Sequence, residues 1–288
     1  MKDYHRWGRL GLVVTAIIWG SGFTVSSLAL THYSAYQVIA LRFSLAFLGL
    51  LIWRWPRLKE ISQSDLKKGI SLGCLLTLAY LCQTYALNFT TASKNAFLTA
   101  VNVVMVPFLL YFIYRTHLSK NAIIGACLAL VGVGLTSFTK DGVSLSLNIG
   151  DYLTLLGAGF FAGHLIYTQI VGQSMATWKI MLIQMGTAAT LSWLMVFLNG
   201  NGPLNLSMPA LAPVVYIGLI TTLVGYSLQT HSQRFTSSEE AAIILSTESF
   251  WGMVTAMILL AEPLVWQMII GGGLIFAGVL VTDLKPFK

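Results

Sequence analysis

The chain has 288 residues, of which 56% are hydrophobic and only 9% charged, and its mean hydropathy is +0.75. Soluble domains carry about 25% charged residues, so a water-soluble globular enzyme or binding module is excluded. A net charge of +7 would suit a nucleic-acid binder, but the basic residues cluster at the ends of apolar runs, as in the loops of membrane proteins, and no nucleic-acid partner is expected.

The N-terminal stretch MKDYHRWGRLGLVVTAIIWG has a charged start and an apolar run but no small-x-small cleavage site soon after it. It is therefore expected to be the first membrane helix rather than a removed signal. Apolar segments follow along the whole chain, near 9–30, 37–55, 68–89, 93–114, 120–138, 151–171, 178–198, 210–231, 239–261 and 264–284. These predict an all-α integral membrane protein of ten transmembrane helices, joined by short connections so that sequence neighbours pack antiparallel. The longest non-apolar piece, Arg54 to Lys68, is expected to be only a loop. Cys74, Cys82 and Cys127 all fall inside apolar segments, which argues against a disulfide framework and against CxxC metal chemistry.

With the N-terminus in the cytoplasm, fourteen basic residues fall inside: Lys2, Arg6, Arg9, Arg54, Arg57, Lys59, Lys67, Lys68, Arg115, Lys120, Lys179, Arg234, Lys285 and Lys288. Lys94 and Lys140 fall outside, and Arg42 lies within a span. This bias places both termini in the cytoplasm, in what is expected to be the bacterial plasma membrane.

The second half repeats the first. Shifted by 146 residues, Tyr80–Thr90 (YLCQTYALNFT) falls on Tyr226–Thr236 (YSLQTHSQRFT), and the register continues without a gap to Thr136 on Thr282. Tyr80/Tyr226, Gln83/Gln229, Thr84/Thr230, Gly125/Gly271 and Gly132/Gly278 are among the identities. The expected repeats are residues 1–140 and 141–288. Five helices is an odd number, so the second copy enters the bilayer from the opposite side, giving two inverted-topology repeats. In many secondary transporters that architecture holds solute near the midplane where the halves meet.

The segment Ser238–Glu262 reads as one membrane-crossing helix with Glu248 near its middle, roughly 15 Å from its start. A carboxylate at that depth costs ~2.5–3.5 kcal/mol on insertion scales and is expected to face a cavity or other helices. It would bind a substrate ammonium or carry protons, or else simply hydrogen-bond a neighbouring helix. Asn102 is its repeat-related partner and would add a neutral polar wall or an interhelical hydrogen bond. Arg42, about five residues into the second helix, is expected near the outer face, binding a carboxylate or snorkelling to the interface.

Trp19, Tyr80, Tyr226 and His164 fall well inside spans and are candidates to line a solute cavity. His164 would shuttle protons or be a packing residue. Gln83 and Gln229 sit where symmetric gates would lie, with helix–helix hydrogen bonding as the alternative. Gly125, Gly132, Gly271 and Gly278 mark close helix packing. Trp53, Trp55 and Trp178 are expected as interfacial anchors.

The residues resemble the drug/metabolite transporter superfamily in its EamA-type branch. The resemblance rests on Trp19-Gly20-Ser21-Gly22-Phe23, Leu41-Arg42-Phe43, Pro107, Glu248-Ser249, Ala261-Glu262-Pro263, and the glycine patterns of the fifth and tenth segments. Ser249 stands where the family usually has proline, and Thr116 where a glutamate often ends the fourth helix. The resemblance implies export of amino acids, related metabolites or toxic compounds.

The expected function is secondary active export of small organic metabolites, amino acids or related compounds, by alternating access around a midplane cavity. A multidrug exporter is the alternative. A membrane-embedded enzyme using Glu248 and His164 is a further one, although HExxH, GxSxG, paired aspartates on spanning helices and a P-loop are all absent. The expected partners are the lipid bilayer and a small-molecule solute. No cofactor or metal is expected, proton coupling is left open, and the chain would act as a monomer or homodimer.

Overall fold

A computed structural model describes residues 2–115, 120–136, 147–236 and 238–283. The expectations placed on Thr116, Lys140, Lys285 and Lys288 lie outside the described residues. Within them the chain is helical throughout: α1 (Lys2–Leu30), α2 (Ala35–Arg54), α3 (Gln63–Ala86), α4 (Ala92–Thr99), α5 (Asn102–Tyr114), α6 (Lys120–Thr136), α7 (Ile149–Gly172), α8 (Thr177–Leu198), α9 (Met208–Val215), α10 (Gly225–Ser232), α11 (Ser238–Ser246), α12 (Glu248–Leu259) and α13 (Trp266–Asp283). A π-helical stretch, Tyr216–Val224, joins α9 to α10 in one rod.

Eight of these rods are long and apolar enough to cross a membrane, and α6 and α13 add two shorter apolar helices. Side chains on the outer surface are large and apolar, with Phe197 81%, Ile52 78% and Phe112 73% exposed. Polar groups such as Gln83, Asn95, Gln184 and Thr222 are buried. Apolar outside and polar inside is the arrangement that lipid demands of a multi-pass protein.

Local signals fix the helix starts. Ser34 with Gln37, Ser62 with Asp65 and Asn148 with Asp151 form reciprocal capping boxes at α2, α3 and α7. The segment expected to be only a loop between Arg54 and Lys68 instead holds a 3₁₀ turn, Trp55–Glu60, with Pro56 at its start, and α3 begins already at Gln63. Pro56 suits a helix start because its missing N–H would be unpartnered there anyway.

Ion pairs and hydrogen bonds gather the two ends of the bundle. At one end Arg9 pairs with Glu240, Lys179 with Asp65 at 2.9 Å, and Lys68 donates to Ser174 at 3.2 Å. At the other end Lys94 pairs with the fully buried Asp151 at 2.8 Å, and Gln37 donates to the Gly202 carbonyl at 2.8 Å. Arg6, Arg9, Arg54, Arg57, Lys59, Lys67, Lys68, Lys179 and Arg234 all sit toward the first end.

The short helices α6 and α13 pack against one another through glycine. A Cβ placed on Gly132 would lie 2.5 Å from the Gly271 carbonyl oxygen, and one on Gly278 would lie 2.5 Å from that of Gly125. Rising residue numbers on one helix meet falling numbers on the other, so the two cross antiparallel with their backbones in contact.

Candidate functional site

The segment Ser238–Glu262, expected as one membrane-crossing helix, forms one span over Glu240–Leu259 with a step inside it. The rod is interrupted at Thr247, between α11 and α12, and ends at Leu259. The fourth rod is interrupted likewise at Ala100–Val101, between α4 and α5. Both interruptions are tightened turns with bonds to the third residue back. Val101 N donates to the Leu98 carbonyl at 3.3 Å and Thr247 N to the Ile244 carbonyl at 3.2 Å, a pair of bonds related by the 146-residue shift.

No proline is needed at the second break. The hydroxyls of Ser246, Thr247 and Ser249 bond back to the carbonyls three residues earlier, at 2.7, 2.7 and 2.8 Å. Such back-bonding satisfies carbonyls that a disturbed helix ladder releases and bends the helix. Ser249, where the resembled family usually has proline, takes part in this hydroxyl bonding.

Each break places a polar residue at the first position of the following half-helix, Asn102 on α5 and Glu248 on α12. A carboxylate in the first turn of a helix is favoured by the free amides and the dipole there. Gly20 on α1 lets this turn come close, since a Cβ at that position would lie 2.7 Å from the Glu248 carbonyl oxygen and 2.8 Å from Gly252 N.

Glu248 and Asn102 face a narrow cavity of about 490 Å³, counted with the open solvent at its mouth. Trp19, Arg42, Tyr80, Gln83, Phe161, Thr221 and Tyr226 also line it. Ser26 and Leu87 carry it from mid-bundle toward the end that holds the Lys94–Asp151 pair.

Arg42 is corrected most. It does not snorkel: the residue is 3% exposed. Its Nε donates to Thr222 Oγ1 at 2.9 Å, and its Nη2 to Thr221 Oγ1 at 3.1 Å and Tyr80 Oη at 3.3 Å. Its guanidinium lies 4.1 Å from the Tyr80 ring centroid, a cation–π stack. The π-helical stretch turns both neighbouring threonines to the same cation, which fits the concentration of π-bulges at functional positions. All the side-chain partners of Arg42 are neutral. Among the described residues no ion pair engages either Arg42 or Glu248, and no hydrogen bond occupies the Glu248 carboxylate or the Asn102 amide.

Tyr226 Oη donates to Tyr80 Oη at 3.1 Å, so two repeat-related residues meet directly. Trp19 stacks on Tyr226 with centroids 4.6 Å apart and anchors its Nε1 on the Thr221 carbonyl at 3.0 Å. His164 does not reach the cavity. It is 2% exposed behind Tyr226, with Nε2 2.9 Å from Gln184 Oε1. The expectation that it lines the site is corrected, because Tyr226 stands in between.

Gln83 lines the cavity and donates to Thr99 Oγ1 at 3.1 Å. Gln229 is buried away from it and bonds Gln233. The two glutamines are therefore not placed alike. Thr221, Thr222 and Phe161 were not singled out from the sequence; only their depth within apolar runs could have marked them. Cys74, Cys82 and Cys127 are unbridged, and no group of metal-ligating side chains occurs among the described residues.

An interrupted pair of helices around a polar cavity is a recurring transporter arrangement, and comparison with known proteins agrees. A solved crystal structure superposes with a TM-score of 0.69 over 95% of this chain and 96% of the other at 15% identity, a likeness of fold alone. An uncharacterized transporter of Archaeoglobus fulgidus is 31% identical over 96% of this chain and 85% of its own length. A Salmonella typhimurium protein named a probable amino-acid metabolite efflux pump is 22% identical over 96% and 94% of the two chains. The EamA-like transporter family matches twice, over residues 6–138 and 148–283. With both matches taken together spanning nearly the whole chain, the protein belongs to the EamA-like transporter family.

Proposed function

We propose that this transporter is a secondary exporter of small zwitterionic metabolites, amino acids or close relatives, working by alternating access between two inverted five-helix repeats. One observation carries the substrate class. A cation, Arg42, and an acid, Glu248, line one cavity without pairing, and two opposite charges left apart offer complementary sites to a solute carrying both. Arg42 would take the carboxylate, with Thr221 and Thr222 fixing its guanidinium, and Glu248 would take the ammonium. Asn102 would add a neutral contact.

The inversion is supported by the antiparallel meeting of Gly132 with Gly271 and Gly278 with Gly125, and by the Tyr80–Tyr226 bond. A two-fold axis between the halves would bring repeat-related residues into contact in this way. With the basic end in the cytoplasm, as in the plasma membrane of a bacterium, the cavity faces outward. Export is favoured by the name of the Salmonella relative. Glu248 is also the group through which protons would couple.

The aromatic walls, Trp19, Phe23, Tyr80, Phe161 and Tyr226, favour a second reading, a broad-specificity multidrug exporter. Counterflow of labelled amino acids in proteoliposomes, with lipophilic cations as competitors, separates the two. The zwitterion reading expects Arg42→Gln and Glu248→Gln each to cut amino-acid exchange by about tenfold or more, the equivalent of one charge-assisted hydrogen bond. His164→Asn should leave exchange near wild type. Unchanged exchange in both charge variants would sink this reading.

A further inference from the structure

A second cavity, with an empty volume of about 680 Å³, lies at the basic end of the bundle, between the end of α2, the start of α8 and α10. It shares no lining residue with the first cavity. Arg54, His231 and Arg234 line it, and no carboxylate does. Trp53 and Trp178 hold the Arg54 guanidinium, which sits 3.7 Å from one ring centroid and 5.8 Å from the other. Clamped in this way, Arg54 loses little further side-chain freedom when it binds.

Two polar atoms in this wall are buried without any hydrogen-bond partner, Arg54 Nε and Thr177 Oγ1. A buried unpaired donor costs about 1–3 kcal/mol, more when charged, and native proteins leave few of them. Thr177 is also the first residue of α8, a helix of 22 residues whose N-cap, Ala176, supplies no side-chain acceptor. Two guanidinium groups, an imidazole, an orphaned hydroxyl and uncapped amides at the positive end of a helix therefore border one space. All can donate a hydrogen bond, and a multivalent acceptor would satisfy them together.

We propose that this cavity binds a phosphate group, held by Arg54, Arg234 and His231 against the N-terminus of α8. A phosphate offers the oxygens for bidentate guanidinium contacts and for helix-end amides together. Trp53, an exposed ring at the rim, adds an apolar surface along which an acyl chain can lie. Basic pockets between membrane helices at a cytoplasmic surface commonly hold anionic lipid headgroups. A phospholipid headgroup and a soluble phosphate share this chemistry.

The test uses the purified full chain. In detergent, thermal unfolding is followed with inorganic phosphate against chloride at equal ionic strength. In nanodiscs and by native mass spectrometry, retention of phosphatidylglycerol is compared with that of phosphatidylcholine. The expected result is a selective gain with phosphatidylglycerol, with phosphate, or with both, reduced about tenfold in apparent affinity for each of Arg54→Gln and Arg234→Gln. Lys59→Gln, exposed on the 3₁₀ turn and outside the cavity, should change it less than about twofold.

Selectivity for the lipid alone would assign the site to a headgroup, and saturation by free phosphate would assign it to a soluble anion. If the arginine variants do not fold, Thr177→Ala should lower the affinity about threefold. Equal responses to phosphate and chloride together with equal retention of both lipids, or wild-type binding by the folded variants, would overturn the proposal.

Discussion

Replacing Glu262 with alanine would remove a helix cap supplied from the other half of the molecule. Glu262 follows α12, just past Ala261, whose φ of 51° turns the chain out of the helix. Its Oε1 accepts from Ala92 N at 2.9 Å, and its Oε2 from Ser93 N at 3.3 Å and Ser93 Oγ at 2.5 Å. Thr91 Oγ1 takes Lys94 N at 3.2 Å. One carboxylate and one threonine thus satisfy the first three amides of α4, a helix of only eight residues that leads to the break before Asn102.

The magnitude follows from these bonds. Loss of an N-terminal cap costs about 0.5–2 kcal/mol. The charged bond to the Ser93 hydroxyl adds ~1.5 kcal/mol or more, and partial exposure of Glu262 discounts the sum. About 2 kcal/mol is expected for Glu262→Ala, or a fall in Tm of about 3–4 °C if unfolding entropy per residue is like that of soluble chains. Glu262→Gln keeps acceptor geometry but loses charge, and should fall by about half as much. The assay is thermal unfolding of purified protein in detergent, followed by tryptophan fluorescence. An alanine variant within about 1 °C of wild type, or a glutamine variant as damaged as alanine, would refute the clasp.

Two further perturbations test the frame on which the site is hung. Gly278→Val would press a side chain onto the Gly125 carbonyl and Ala129 N and should cost about 1–3 kcal/mol, whereas Gly273→Ala, with open space around its Cβ position, should be neutral or stabilising by under about 1 kcal/mol; unfolding midpoints compare them. A double-mutant cycle on Tyr80→Phe and Tyr226→Phe should show coupling of about 0.6–1.7 kcal/mol from their shared hydrogen bond, and additivity within about 0.3 kcal/mol would speak against it.

The all-helical frame was legible because lipid imposes apolar length, and length shows directly in composition. Trp19, Arg42, Tyr80, Asn102, Tyr226 and Glu248 were picked out as polar or amphipathic residues within apolar runs, and they do share one cavity. What the sequence hid depends on partners far away in the chain. The depth of Arg42 was misjudged because its solvation comes from Thr221 and Thr222, some 180 residues on. His164 looked like its neighbours in the same kind of run; only packing puts Tyr226 between it and the cavity. The break at Thr247 carries no proline, and serine and threonine within a helix are ordinary. The Glu262 clasp joins residues 170 apart.

Duplication alone would make a symmetric pocket, and the chain departs from symmetry where a transporter needs to. Where the halves touch, like meets like: Tyr80 with Tyr226, and the glycines of α6 with those of α13. These contacts carry no charge and serve both halves alike. Away from those contacts the pairs diverge. Asn102 on one half answers Glu248 on the other, so a single acid stands in a frame built for two. The end ion pairs diverge in sign. Lys94 binds Asp151 at one end and Glu240 binds Arg9 at the other, Lys94 and Glu240 being 146 residues apart and Arg9 and Asp151 142 apart. Each bond keeps its place while cation and anion exchange helices, which sets Arg9 at the basic end without breaking the contact. Keeping the attraction while reversing its polarity is what the proposed opposite insertion of the two halves would require, and on that proposal the choice of solute falls to residues the repeat does not share.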